Sequence, residues 1–149
     1  MIQRIQTLFL LLAAAALGSQ FLVPYLQVSE GNPARTITTL SDGVLTPADN
    51  PGILGLTSLG ALISIAAIFL FKNRPLQTRL ALTAAGISIM LVVLLAFTTK
   101  MTLDQSPEGG AIQLALGLAF PVIAVLLNWL AARAIRKDET LVRSMDRLR

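Results

Sequence analysis

The chain contains no cysteine and no histidine. Those absences remove thiol nucleophiles, disulfides, zinc sites built on sulfur or imidazole, and histidine acid–base chemistry. Charge is scarce as well, at 13% of residues, while 54% are hydrophobic and the mean hydropathy is +0.72. Ordinary soluble domains carry about twice that charge. The few charges are also segregated. No Lys, Arg, Asp or Glu occurs from 5 to 29, from 51 to 71, from 80 to 99, or from 109 to 132. A titratable group inside a bilayer is costly and usually marks an ion path or proton relay. Four uncharged stretches offer none.

What the chain does have is length in each of those gaps. A transmembrane helix needs about 20 apolar residues to cross about 30 Å of hydrocarbon. At 149 residues the chain has room for one domain, and the expected fold is all-α: a bundle of four transmembrane helices over about 5–26, 53–71, 80–98 and 111–132. A cleaved signal peptide is the rival reading of the N-terminus, because Arg4 precedes an apolar run containing the small residues of AAALGS. The run continues through FLVPYL to Leu26, longer than a typical signal core of roughly 7–15 residues. Retention is therefore expected.

Basic residues resist translocation and collect on the cytoplasmic side. Arg4, the Lys72, Arg74 and Arg79 of the loop between spans two and three, and the tail residues Arg133, Arg136, Lys137, Arg143, Arg147 and Arg149 share one side of the four-span arrangement. Only Arg35 and Lys100 fall on the other, among Glu30, Asp42, Asp49, Asp104 and Glu108. Both termini are expected in the cytoplasm, and the net charge of +4 is explained by topology.

The tail, 133–149, continues the fourth helix as an amphipathic basic extension, for no Gly or Pro follows Pro121. At 100° per residue Arg133, Arg136, Arg143 and Arg147 share one face and Leu141, Val142, Met145 and Leu148 the opposite one. Glu139 precedes Arg143 by four, a supporting helical pair. Three uses compete: an anchor on anionic lipid phosphates, a docking helix for a partner protein, and homo-oligomerisation through the 4-3-4-3 series Ala134, Asp138, Leu141, Met145 and Leu148. Nucleic acid is not an expected partner, because the tail has no aromatic residue to stack on bases. The acids of this side, Asp138, Glu139 and Asp146, are expected to pair with Lys72, Arg74 or Arg79 and clamp the tail to the short loop.

The external segment 27–52 contains TITTLSDGVLT, two short β-like runs around the turn-forming Asp42-Gly43. A hairpin lid and a flexible loop are the two readings. Inside the spans, Gln20, Gln113 and Asn128 are the expected interhelical polar contacts, Gln20 and Gln113 to each other and Asn128 near the inner face beside Trp129. The small-xxx-small pairs Ala14–Gly18, Gly60–Ser64 and Ala84–Ser88 are candidate close-packing surfaces, and Pro121 is expected to kink the fourth span.

Three stretches, MIQRIQTLFLLLA, FLFKNRPLQTRL and LNWLAARAIRKDETLVRSMDRLR, together resemble an uncharacterised family of small four-helix membrane proteins of Bacteroidota, domain-of-unknown-function family 4293. The resemblance runs the length of the chain. It implies a bacterial inner-membrane protein with both ends cytoplasmic, and it brings no activity, cofactor or site residue with it. On the residues themselves no catalytic, cofactor or metal site is expected. The leading expectation is a non-enzymatic accessory or scaffold protein that meets a partner or anionic lipid through Lys72, Arg74, Arg79, Arg133, Arg136, Lys137, Arg143 and Arg147. The alternative is a small transporter or channel for a neutral or lipid-like solute, formed as an oligomer.

Overall fold

A computed structural model describes residues 3–28, 42–104 and 112–146. Four helices carry the fold: α1 (Gln3–Ser19), α2 (Pro51–Phe69), α3 (Arg74–Asp104) and α4 (Ala119–Asp146). They form a ring in which α1 and α3 each contact both α2 and α4. α2, α3 and the stretch Leu116–Val142 are each long and apolar enough to cross a membrane, whereas the apolar part of α1, Ile5–Ser19, is shorter. An all-α protein was expected, and the helices of the second and third spans fall where the charge gaps put them. α3 runs past its gap at both ends to include Arg74 and Asp104.

The first and fourth spans need correction. α1 ends at Ser19, not at Leu26. Gln20 N–H donates to the Leu17 carbonyl and Phe21 N–H to that of Gly18, tightening the last turn, and Pro24, which disfavours helix in the residue before it, prevents resumption. The chain instead enters strand β1 (Leu26–Val28). The start of the fourth stretch is also extended: Ile112–Leu114 is strand β3, a 3-10 turn follows at Leu116–Leu118, and α4 begins only at Ala119. Pro121 thus lies in the first turn of α4, where a missing N–H breaks no helical bond. The expected mid-span kink disappears with it.

β1 is the centre of a three-stranded antiparallel sheet, with β2 (Val44–Leu45) on one side and β3 on the other. Of the expected hairpin, Asp42-Gly43 does turn, with Gly43 at φ 77° and the Asp42 carboxylate accepting from Val44 N–H at 3.3 Å, and Val44–Leu45 is a strand that pairs with β1. The β-like run before Asp42 lies outside the described residues. The sheet ties together the segment leaving α1 and those entering α2 and α4, closing one end of the bundle. Entry to α2 is well made. Thr46 donates both N–H and hydroxyl to the Asp49 carboxylate, at 2.7 and 2.9 Å. Asn50 then caps Gly52 N–H and Ile53 N–H ahead of Pro51 at the first helical position.

Polarity in the bundle is inverted. Its outside carries Leu62, Phe69, Met90 and Val93, each more than 60% exposed. Its inside holds Gln6, Gln20, Thr57, Ser64, Gln77, Ser88 and Asn128, none more than 3% exposed. Between them the buried positions are largely small: Ala13, Ala67, Ala81, Ala84, Ala124 and Ala131. An amphipathic bundle in water does the reverse. Two apolar clusters fill the interior, one around Leu17, Leu26, Leu45, Ile53, Leu91 and Leu95 under the sheet, the other around Leu10, Ala67, Ala81, Ala131 and Ile135 towards the opposite end.

Of the three small-residue pairs, two pack as expected. Ala84 and Ser88 are fully buried. At Gly60 an added Cβ would stand 3.0 Å from Leu17 Cδ1 and 3.4 Å from Ile87 Cγ2, so α1 and α3 both press on α2 there. Gly18 is different: nothing lies within 4 Å of its Cβ position.

Candidate functional site

The charged end of the bundle is built by the 70–73 turn and the C-terminal half of α4. Asn73 begins α3, its side chain accepting from Leu76 N–H at 3.3 Å and its carbonyl from Gln77 N–H at 2.9 Å. That places Arg74 in the first turn, where a cation is disfavoured by the helix dipole. Arg74 turns to α4 instead. Its Nη1 lies 3.1 Å from Asp138 Oδ2 and 3.4 Å from the Asp138 carbonyl oxygen, with both side chains mostly covered. The expected clamp between the short loop and the tail is therefore present in one of its allowed pairings. A second contact supports it from α1, where Gln6 Nε2 donates to the Ala134 carbonyl at 3.3 Å.

Arg133 and Arg136 come together on another face of α4. Successive α4 turns stack Trp129, Arg133 and Arg136 along one side, and with Leu82 and Ala132 they line a cleft of about 180 Å³. The Arg133 guanidinium stands 5.6 Å from the centroid of the Trp129 ring, a cation–π distance. Among the described residues no carboxylate pairs with either arginine, so the cleft offers two cations, a polarised aromatic and an apolar floor to an anionic group. Lys72, Arg79 and Lys137 are exposed and do not join it. Arg143 lies on α4, but its side chain, like Arg147, falls outside the described residues, and so does the Glu139–Arg143 pairing.

The three amides separate. Gln20 is 1% exposed and reaches Gly117, not Gln113: its Nε2 donates to the Gly117 carbonyl at 3.3 Å, and its Oε1 accepts from the Thr57 hydroxyl at 3.3 Å. Gln113 is a β3 residue facing Gln27 across the ladder, and its side chain is not among those described. The strand, absent from the expectation, is what parts the two. Asn128 lies in the bundle interior, fully buried, with its Oδ1 3.2 Å from Ser64 Oγ and its Nδ2 without a partner. Ser64 has one hydroxyl hydrogen and a 2.8 Å contact to the Gly60 carbonyl that uses it well. Turning the amide by 180° would let Asn128 donate to Ser64 and Ser64 to Gly60, one continuous chain across the diagonal from α4 to α2.

Gln6 and the Trp129–Arg133 contact were not anticipated. Gln6 was findable: it occupies the stripe Gln6, Leu10, Ala13, Leu17 at helical spacing, and all four are buried. For the ring contact the signal was Trp129 four residues before Arg133, a spacing that stacks side chains on a helix.

No curated relative and no solved structure matches the chain. The model of a domain of unknown function, DUF4293, matches residues 2–148, and the chain belongs to that family.

Proposed function

We propose that this is an integral protein of the bacterial inner membrane with four spans and both termini cytoplasmic, a non-enzymatic accessory or scaffold protein that engages anionic lipid or a partner through its basic end. The observation that carries the membrane reading is the inverted polarity, with large apolar side chains outward and amides and hydroxyls inward. Shortness does not exclude α1 as the fourth span. Its 17 residues rise about 25 Å, and it lies against both α2 and α4.

Orientation rests on the grouping of Lys72, Arg74, Arg79, Arg133, Arg136 and Lys137 at the end opposite the sheet, as the positive-inside rule requires of a cytoplasmic face. At that face the Trp129–Arg133–Arg136 cleft suits a lipid phosphate, each basic residue contributing about 1 kcal/mol near an anionic surface. The absence of charge from the spans and the bonding of Gln20 to Thr57 and of Ser64 to Asn128 within the bundle favour a packed scaffold over a solute path.

Alkaline phosphatase fused after Arg149 should be inactive outside the membrane, and the same enzyme inserted within 29–41 should be active. The opposite pattern would overturn the orientation. For the role, mild-detergent pull-down should recover a partner or anionic lipid with the intact protein and lose it in Arg133→Gln/Arg136→Gln. Equal recovery by both would remove the basic cleft from the proposal.

A further inference from the structure

At the sheet end of the bundle, one hydroxyl of α3 breaks a pattern. α3 holds six hydroxyl side chains. Thr78, Thr83, Ser88, Thr98 and Thr102 each donate to a carbonyl of their own helix, at 2.9–3.0 Å, as such residues do in apolar surroundings. Thr99 does not. It is 7% exposed, and its Oγ1 has no partner.

Thr99 lines a groove of about 380 Å³ between α3 and Leu118, within the size range of small-molecule sites, about 300–1,000 Å³. The rest of the wall on α3 is the stripe Val92, Leu95, Ala96 and Leu103, with Lys100 beside Thr99. From 92 to 103 the stripe is about 17 Å long. A long, narrow, apolar groove fits a hydrocarbon chain. Its two polar groups sit at different depths, the Thr99 hydroxyl buried and the Lys100 side chain exposed, with no described carboxylate paired to Lys100.

We propose that this groove binds one acyl chain of an anionic glycerophospholipid, its ester carbonyl accepting from Thr99 and its phosphate meeting Lys100. Two polar depths favour a glycerophospholipid over a fatty acid, which has polar atoms only at its end. The site rests on the membrane reading above and is separate from the Trp129 cleft at the other end of the bundle.

The test uses detergent-purified full-length Arg133→Gln/Arg136→Gln protein, so that the basic cleft does not compete. A phosphatidylglycerol carrying a photoreactive group in its acyl chain is crosslinked and the adducts are mapped by mass spectrometry. Adducts should fall within 92–103. Thr99→Val, which keeps the shape, and Lys100→Gln, which alters only an exposed head, should each weaken binding about three- to tenfold, the loss of one hydrogen bond or charge contact. The phosphatidylcholine analogue, whose choline cation offsets the same phosphate beside Lys100, should label more weakly than phosphatidylglycerol. Unchanged labelling in both variants, equal labelling by phosphatidylcholine, or competition by octanoate as effective as by short-chain phosphatidylglycerol would each overturn the proposal. A protein that needs detergent yet gives no adduct in 92–103 defeats this site alone, whereas a soluble detergent-free monomer defeats the membrane reading itself.

Discussion

Gly117→Ala is the sharpest single perturbation of this fold. The residue sits where the chain entering α4 crosses the chain leaving α1. A Cβ there would run into the Pro24 carbonyl oxygen, with Pro24 C at 2.7 Å and Val23 O at 2.8 Å. These are backbone atoms, so no rotamer relieves them. The crossing also carries hydrogen bonds: Gly117 N–H donates to Pro24 O at 3.1 Å, and the Gly117 carbonyl accepts from Gln20, which in turn accepts from Thr57. Pushing the two segments apart costs about 1–3 kcal/mol for overpacking, and about 0.5–1.5 kcal/mol for each hydrogen bond that lengthens beyond use. The expected loss is about 2–5 kcal/mol.

The molecule supplies its own controls for that experiment. Gly18, Gly55 and Gly86 have nothing within 4 Å of their Cβ positions, and alanine there should be neutral or modestly stabilising through helix propensity, by up to about 1 kcal/mol. Unfolding in mixed micelles with a rising fraction of denaturing detergent, followed by circular dichroism, ranks the four variants. If Gly117→Ala unfolds at the same midpoint as Gly86→Ala, the crossing of the two segments is not as close as described, and the account of how the sheet end is closed fails.

Arg74→Glu should release the tail to protease, and adding Asp138→Arg should restore protection; with both partners mostly covered, the double-mutant coupling is expected at about 1 kcal/mol, above the low end for exposed pairs. Asn128→Leu should cost less than about 1 kcal/mol, since interhelical hydrogen bonds of this kind average about 0.6 kcal/mol in membrane bundles; a loss above about 3 kcal/mol in the same detergent unfolding would show the diagonal contact with Ser64 to be a principal support. Tyr25, beyond the end of α1 and the chain's one tyrosine, has its phenol pushed up to about 12 by burial, with the Asp49 carboxylate adding to the shift. The fold thus prefers the neutral phenol, the unfolded chain holds fewer protons between pH 10 and 12, and stability should fall across that window. Phenolate absorbance reads the group directly, and a folded-state midpoint near 10 would contradict its burial beneath the sheet.

Much of this architecture is legible in the sequence because lipid-facing helices leave a coarse record. The charge gaps found α2 and α3, and the lack of Gly or Pro after Pro121 found the long extension of α4. Arg74–Asp138 was legible for a similar reason: few acids were available at that end, and one of them took a nearby arginine. The sheet was not. Its strands are two or three residues long, and Ile112–Leu114 is as apolar as the helix it precedes, so periodicity has too few positions to tell strand from helix. With β3 unseen, the pattern puts Gln113 on a helix opposite Gln20 and Pro121 in mid-span, so one local omission produces two errors. Thr99 is a harder case. Six hydroxyls on one helix look alike in sequence, and only the position of Leu118 across from α3 leaves this one in a groove.

Inverted polarity changes what holds such a bundle together. In lipid the outward leucines gain little from helix association, so cohesion depends on close packing and on polar contacts between helices. Those contacts are spread along the axis and join different partners. Gln6 links α1 to α4, the Ser64–Asn128 contact links α2 to α4 across the diagonal, and Gln20 links the end of α1 to α2 and to the turn before α4. α3 joins this set at its first turn, through Arg74 and Asp138, and further along it packs on small or apolar buried positions, Ala81, Ala84, Ala85, Leu91 and Leu95. A clamp at one end of α3 and a groove near the other have the same origin. Where no hydrophobic effect presses helices together, any stretch of α3 that lacks a matched surface opposite is left open to the solvent at hand, which in the proposed membrane setting is lipid.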